Sequence, residues 1–224
     1  LVIPDLTFAQ PAAKPLDLRG SNTDLNVVSS VIANAAGPQT TAVTKSDAGV
    51  WALTGNNTYT GGTTLSGGTL LIGHDSAFGA GTVTTSNVSI QALGGTRTLA
   101  NNFVTTANTN LIVSGSNSLI ISGTMTNGGN NNSGLNNFLT GGATLTVNGN
   151  VVLTNDAAAR TYIMRGTGTT ILNGVISNGT TAGSALQSEM SVNTGLNTAA
   201  GLLRIGGVAN TYTGNTNIST GVLQ

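Results

Sequence analysis

The 224-residue chain contains no cysteine, which excludes disulfide bridges and a thiolate-bound zinc ion. Charged residues make up 6% of the chain, against about 25% in an ordinary globular domain. The formal net charge is zero, so there is no electrostatic case for binding nucleic acid or an anionic membrane. No stretch approaches the roughly 18 consecutive apolar residues of a membrane-spanning helix. We therefore predict no nucleic-acid partner and no membrane-spanning segment in this chain.

Proline and aromatic residues are scarce as well. The four prolines all lie at or before Pro38, and proline cannot donate to a ladder of paired strands. Both lysines, Lys14 and Lys45, lie near this region, and lysine is typical of exposed sheet edges. We expect residues 1–20 to form an extended entry or capping segment, followed by one folded body over residues 21–224. With only 4% aromatic residues, the core of that body must be built from Val, Ile, Leu and Ala.

Glycine, threonine, asparagine and β-branched residues are abundant. Short apolar runs alternate with Gly/Asn turns, as at 69–72 and 143–147, and runs of this length are typical of strands. Two or three such strands make a coil of about 20 to 30 residues, within the period range of solenoids. The favoured fold is an all-β parallel β-helix (solenoid) with loops near 127–137 and 180–200. An antiparallel sandwich with Asn-Gly hairpins is the competing fold.

One phrase of fourteen residues occurs twice. Residues 57–70 read NTYTGGTTLSGGTL and residues 210–223 read NTYTGNTNISTGVL, with nine identical positions. Self-similarity of this kind indicates a repeat architecture, which usually presents a surface or a length and no catalytic cleft. The motif positions are Asn57, Tyr59, Gly61, Thr63, Gly68, Leu70, Asn210, Tyr212, Gly214, Thr216, Gly221 and Leu223.

The stretch from Lys45 to Leu70 closely resembles the autotransporter-associated β-strand repeat. A lysine and a glycine precede an alternating strand, and Thr-Gly-x-Asn-x-Tyr-x-Gly-x-Thr and Gly-x-Leu follow it. Residues 77–81 (AFGAG) resemble the turn that follows in that family, whereas the second copy lacks the upstream tryptophan. The resemblance implies a secreted bacterial passenger-type region, folded as a right-handed parallel β-helix. Such regions occur in large cell-surface proteins, commonly adhesins or fibres, and the family has no catalytic residues to carry over.

The motif also has a physical interpretation of its own. Gly61 follows a tyrosine at a corner, where a positive φ or a close backbone approach is expected. The Asn57 side chain is expected to bond its own backbone or to stack on the next coil. Tyr59 is expected to cover apolar surface at the corner while its hydroxyl stays exposed. We expect the same roles in the second copy.

A search for catalytic residues finds no set with the required spacing. Glycoside hydrolysis normally needs two carboxylates a few ångströms apart. The seven acids form no Asp-x-Asp or Glu-x-x-Glu pair; they are Asp5, Asp17, Asp24, Asp47, Asp75, Asp156 and Glu189. His74, Asp75 and Ser76 have the residue types of a triad, but neighbours on an extended chain point to opposite sides. We predict that the protein is not an enzyme and that it has no cofactor and no metal site.

The leading functional prediction is a non-enzymatic structural or adhesive protein of the bacterial cell surface. It would be a stiff rod, part of a longer or polymeric rod, whose flat uncharged faces bind sister rods or a surface or glycan ligand. Two alternatives stay open. One is a polysaccharide-degrading β-helix enzyme, which needs a cluster of acids in a groove. The other is a carbohydrate-binding module that stacks sugars on Tyr59, Tyr212 or Trp51.

Overall fold

The computed structural model describes residues 1–3, 15–36, 38–128, 133–154, 161–179, 189–193, 201–206 and 209–224. Within them, short strands form three sheets in which the paired strands run parallel. The strands are β1 (Val2–Ile3), β2 (Leu16–Leu18), β3 (Asn26–Val28), β4 (Val43–Lys45), β5 (Val50–Leu53), β6 (Thr63–Leu65), β7 (Thr69–Ile72), β8 (Val83–Thr85), β9 (Val88–Ala92), β10 (Arg97–Leu99), β11 (Phe103–Thr105), β12 (Asn110–Gly115), β13 (Leu119–Ile121), β14 (Met125–Asn127), β15 (Ser133–Leu139), β16 (Thr144–Val147), β17 (Val151–Val152), β18 (Thr161–Gly166), β19 (Thr169–Leu172), β20 (Ile176–Ser177), β21 (Glu189–Asn193), β22 (Leu202–Ile205), β23 (Thr216–Thr220) and β24 (Val222–Leu223).

The three sheets are the faces of one column. Sheet 1 has ten strands in the order β1-β3-β5-β7-β9-β12-β15-β18-β21-β23. Sheet 2 has eight strands in the order β2-β4-β6-β8-β11-β14-β17-β20, and sheet 3 has six in the order β10-β13-β16-β19-β22-β24. From β9 onwards successive strands belong to sheets 1, 3 and 2 in turn, so each coil adds one strand to each of the three sheets. This is a parallel β-solenoid.

The registers give the length of each coil. In sheet 1, Val50 pairs with Thr69 and Thr69 pairs with Ser89, so each of these pairs marks the start and the end of one coil. A longer coil runs from Ser133 to its partner Tyr162. These coil lengths agree with the period predicted from the sequence. The predicted parallel solenoid is therefore confirmed, and the competing antiparallel sandwich is wrong.

The interior of the column is apolar because alternate side chains of each strand point inward. In β9, Val88, Ile90 and Ala92 are buried while the two residues between them are half-buried. The interior is narrow and is filled mostly by Val, Ile and Leu, as the composition predicts. Phe78 and Phe103 form an edge-to-face aromatic pair inside it, with ring centroids 6.1 Å apart.

The segment predicted as a loop near 127–137 is shorter than expected, because β15 spans Ser133–Leu139. Residues 129–132 lie outside the described residues. Asn137 is 1% exposed, and its Nδ2 donates to the Thr169 carbonyl (2.9 Å) while its Oδ1 accepts from the Leu139 N–H (3.0 Å). A polar Gly/Asn run can therefore form an inner strand, since its buried amide has partners.

The other predicted irregular segments also contribute strands. In the segment 180–200, β21 spans Glu189–Asn193, and the remainder lies outside the described residues. In the expected entry segment 1–20, β1 pairs with β3 and β2 pairs with β4, whereas residues 4–14 lie outside the described residues. The described part of the chain includes no helix able to cross a bilayer.

Candidate functional site: the coil-to-coil motif

Asn57 joins three successive coils. Its Oδ1 accepts the Ile32 N–H of the preceding coil at 2.8 Å, and its Nδ2 donates to the Ala77 carbonyl of the next coil at 2.7 Å. The side chain is 3% exposed, so water does not reach this site. The Asn57 amide therefore supplies the hydrogen-bond partner that the Ile32 N–H and the Ala77 carbonyl would otherwise lack. Of the two roles predicted for this residue, the structure shows the contact with the next coil.

Tyr59 is fully buried below the same corner. Its hydroxyl lies 2.6 Å from the Thr63 Oγ1, and burial raises the pKa of the phenol far above its ordinary value. The prediction of an exposed hydroxyl is wrong, because the turn of the next coil covers this tyrosine: the Ala80 N–H donates to the Tyr59 carbonyl at 2.9 Å. Leu70, the last motif position, is also fully buried, in β7.

Gly61 is needed because two coils approach closely. A Cβ on this residue would lie 2.5 Å from the Thr41 carbonyl oxygen, which also accepts the Gly61 N–H at 2.9 Å. Two reasons for a glycine were predicted at Gly61. The close backbone approach is found there, whereas the positive φ (+83°) is found at the next residue, Gly62.

Lys45 has a role that differs from the predicted edge position. The side chain is fully buried, and its Nζ donates to the carbonyls of Ser46 (2.7 Å), Asp47 (2.9 Å) and Gly67 (3.1 Å). Burial lowers the pKa of this ammonium, and the nearby Asp47 carboxylate partly offsets that effect. Gly68 has φ +67°, and a Cβ there would lie 2.7 Å from the ammonium. The lysine therefore links the turn of one coil to the turn of the next.

The second copy makes the same contact with the preceding coil at a less buried position. The Asn210 Oδ1 accepts the Ile176 N–H at 2.9 Å, and the Tyr212 and Thr216 hydroxyls lie 2.5 Å apart. Asn210 is exposed, whereas Tyr212 is only partly buried. Among the remaining motif residues, Gly214 lies in a half-buried bend and Gly221 has a positive φ (+94°). Leu223 is partly buried in β24.

The two copies lie on different faces of the column. The strand after the first tyrosine, β6, belongs to sheet 2, whereas the strand after the second, β23, belongs to sheet 1. The contacts of each motif with the preceding coil are nevertheless equivalent. The motif is thus a local device that locks one coil to its neighbour, and it is not tied to one face.

Sequence reasoning missed the partner of each motif. Asn34 of the preceding coil accepts the Thr60 N–H (3.0 Å) and donates to the Thr60 Oγ1 (3.1 Å). Asn178 makes the same two contacts with Thr213, at 3.3 Å and 2.8 Å. The signal was present in the sequence as Val-Ile-x-Asn, which reads VIAN at 31–34 and VISN at 175–178.

The candidate triad His74, Asp75 and Ser76 makes its contacts with backbone N–H groups. The His74 Nδ1 accepts the Ser76 N–H at 3.0 Å, and the Asp75 Oδ1 accepts the Thr98 N–H at 3.1 Å, so this trio supports a turn. Among the described residues, no group of three or more His, Cys, Asp or Glu side chains forms a potential metal site. Trp51 is 7% exposed and Tyr59 is fully buried, so neither offers a ring face to a sugar.

The fold and the motif define a repeat protein of the parallel β-solenoid class. Residues 43–72 and 200–224 match the family model of the passenger-associated-transport-repeat. Two stretches of the chain therefore match this repeat, and the predicted family resemblance is confirmed. The comparisons with curated proteins and with solved structures gave no match.

Proposed function

We propose that the chain is a rod segment of an exported bacterial passenger region and that it serves as a non-enzymatic, adhesive scaffold at the cell surface. One observation carries the proposal. A repeat associated with passenger regions occurs twice, and both copies hydrogen-bond one coil to the preceding coil. The motif side chains are used for stacking, so the outward side chains of the sheets remain available for contacts with a partner surface.

The proposal includes a winding direction and a form of self-association. Parallel crossover connections are right-handed in about 98% of cases, which together with the family resemblance supports a right-handed helix. The first and last strands of each sheet lie at its edges, where a further parallel strand can add. End-to-end stacking into fibres would use those edges, and electron microscopy showing only isolated short rods of the intact protein would contradict it.

The direct test is the location of the full-length protein in its own bacterium. Antibody labelling and protease treatment of intact cells should both reach the solenoid, and deletion of the gene should reduce attachment of the cells to surfaces. A protein found only inside intact cells, or a deletion that leaves attachment unchanged, would overturn the proposal. Release of reducing ends from polysaccharides by the purified chain would contradict the non-enzymatic role.

A further inference from the structure

A polar groove lies on the outer side of sheet 2, next to the first motif. Its volume is about 340 Å³, and the lining residues Thr60, Gly61, Gly62, Thr64, Thr82 and Thr84 are all threonine or glycine. Thr63 also lines the groove, but its side chain is buried and its hydroxyl is bonded to that of Tyr59. Building on the proposed surface role, we propose that this threonine groove binds the sugar units of an uncharged polysaccharide.

The outward threonines at the groove form a regular row. Thr44 pairs with Thr64 and Thr64 pairs with Thr84, each one coil further along the column. Neighbouring threonines of this row are therefore about 4.8 Å apart along the column. The serines that follow, at 46 and 66, do not extend the row, because the Ser46 Oγ is buried and the Ser66 Oγ donates to the Lys45 carbonyl at 3.3 Å. A polymer with hydroxyl groups at regular intervals can meet several of the threonines at once.

The chemistry of the lining favours a neutral, hydroxyl-rich ligand. Each threonine hydroxyl both donates and accepts, as sugar hydroxyls do, and its methyl group contacts the apolar C–H faces of a sugar ring. No charged side chain lines the groove, so a charged ligand would lose water without gaining an ion pair. A neutral ligand has no such cost.

The repeat motif holds the groove in shape. The Gly61 N–H is bonded to the Thr41 carbonyl, and the Thr63 N–H is bonded to the Thr82 carbonyl, both at 2.9 Å. The Thr63 hydroxyl is held by the buried Tyr59. Binding therefore requires little ordering of the protein, which lowers its entropic cost. No aromatic ring lines the groove, so a single groove binds weakly and adhesion depends on many rods acting together.

The test uses the whole chain, isotope-labelled for NMR, titrated with cellohexaose, chitohexaose and maltohexaose as neutral probes and with hexagalacturonate as a charged probe. We expect a neutral probe to shift amide signals within 60–64 and 82–84, with no comparable effect of the charged probe. In the double variant Thr64→Val/Thr84→Val, affinity should fall about thirtyfold, because the two lost hydrogen bonds contribute about 1 kcal/mol each. Thr126→Val, in the same outward row but outside the groove, should bind like the unmodified chain.

The outcomes separate this inference from the proposed function. Absence of shifts with all three neutral probes, or equal affinity of the double variant and the unmodified chain, would overturn the groove. If cells carrying the double variant attach as well as unmodified cells, the proposed sugar binding by the groove is wrong, whereas the proposed surface role is unaffected. If unmodified cells do not display the protein, the proposed function falls, and groove binding in solution is decided by the titration alone. Thermal unfolding of both variants should match the unmodified chain, since these side chains point outward.

Discussion

Replacement of Asn57 by alanine removes the contact that ties three coils together. The amide accepts from Ile32 and donates to Ala77 in a site where the side chain is 3% exposed. Alanine leaves the buried Ile32 N–H without its partner and the Ala77 carbonyl with only the 3.5 Å contact of the Tyr59 hydroxyl, and a buried group that loses its partner costs about 1–3 kcal/mol. We expect the free energy of local opening at this corner to fall by about 3 kcal/mol, which is roughly a hundredfold in the opening equilibrium.

The second copy of the motif supplies a matched control. Asn210 makes the equivalent bond with the Ile176 N–H, but its side chain is exposed, so water can replace the amide after substitution. We expect Asn210→Ala to cost no more than about 1 kcal/mol. Because repeat arrays do not unfold as one unit, the measurement is amide hydrogen exchange, residue by residue, with Ile32 and Ile176 as reporters.

Equal effects of Asn57→Ala and Asn210→Ala on their reporters would refute this reasoning. So would an unchanged exchange rate of the Ile32 amide in Asn57→Ala. Either result would mean that the buried amide does not hold the coils together. The stability of the corner would then have to come from apolar packing and from the backbone bonds of Thr58 and Tyr59 to the Ile32 carbonyl.

Three further predictions concern the tyrosines and glycines. Tyr59→Phe should lower the unfolding free energy by about 1–2 kcal/mol, because the buried Thr63 hydroxyl loses its partner. Tyr212→Phe should cost less, and chemical denaturation of both variants checks this. Gly61→Ala should destabilise the protein more than Gly141→Ala, since the first places a Cβ 2.5 Å from a carbonyl oxygen, whereas the second meets nothing within 4 Å and costs only the strain of a side chain at φ +65°; equal melting temperatures would contradict this. Burial raises the pKa of Tyr162 to about 12, whereas an unfolded tyrosine titrates near 10. The unfolded chain therefore loses its proton first, so stability should fall as the pH rises from about 10 to 12, and Tyr162→Phe should flatten that decline.

The parallel column was predictable because its signals are local. Short alternating runs, Gly/Asn turns and the absence of proline after Pro38 are each properties of a few adjacent residues. The repeated phrase at 57–70 and 210–223 then identified the positions at which coils contact each other. The residues needed for these contacts are few, and they recur at a fixed spacing within the phrase.

Burial of the polar motif side chains was not predictable, because it depends on residues one coil away. Tyr59 was expected to expose its hydroxyl, but it is covered by the turn that contains Ala77 and Ala80. Lys45 was expected at an edge, but its ammonium is enclosed by carbonyls from its own turn and from Gly67. Asn34 was missed because its short Val-Ile-x-Asn signal lies a full coil before the motif it serves.

The central claim is the parallel stacking of successive coils, and disulfide trapping tests it directly. Thr126 and Val152 point outward from adjacent strands of sheet 2 and pair in register, while Val104 lies one strand further away. Adjacent parallel strands are about 4.8 Å apart, within the Cα separation of a disulfide, and two strands away is beyond it. Since the chain has no cysteine of its own, any disulfide that forms within one molecule must join the two engineered cysteines. Oxidation should crosslink Thr126→Cys/Val152→Cys within one molecule and leave Val104→Cys/Val152→Cys reduced; the reverse pattern would contradict the stacked column.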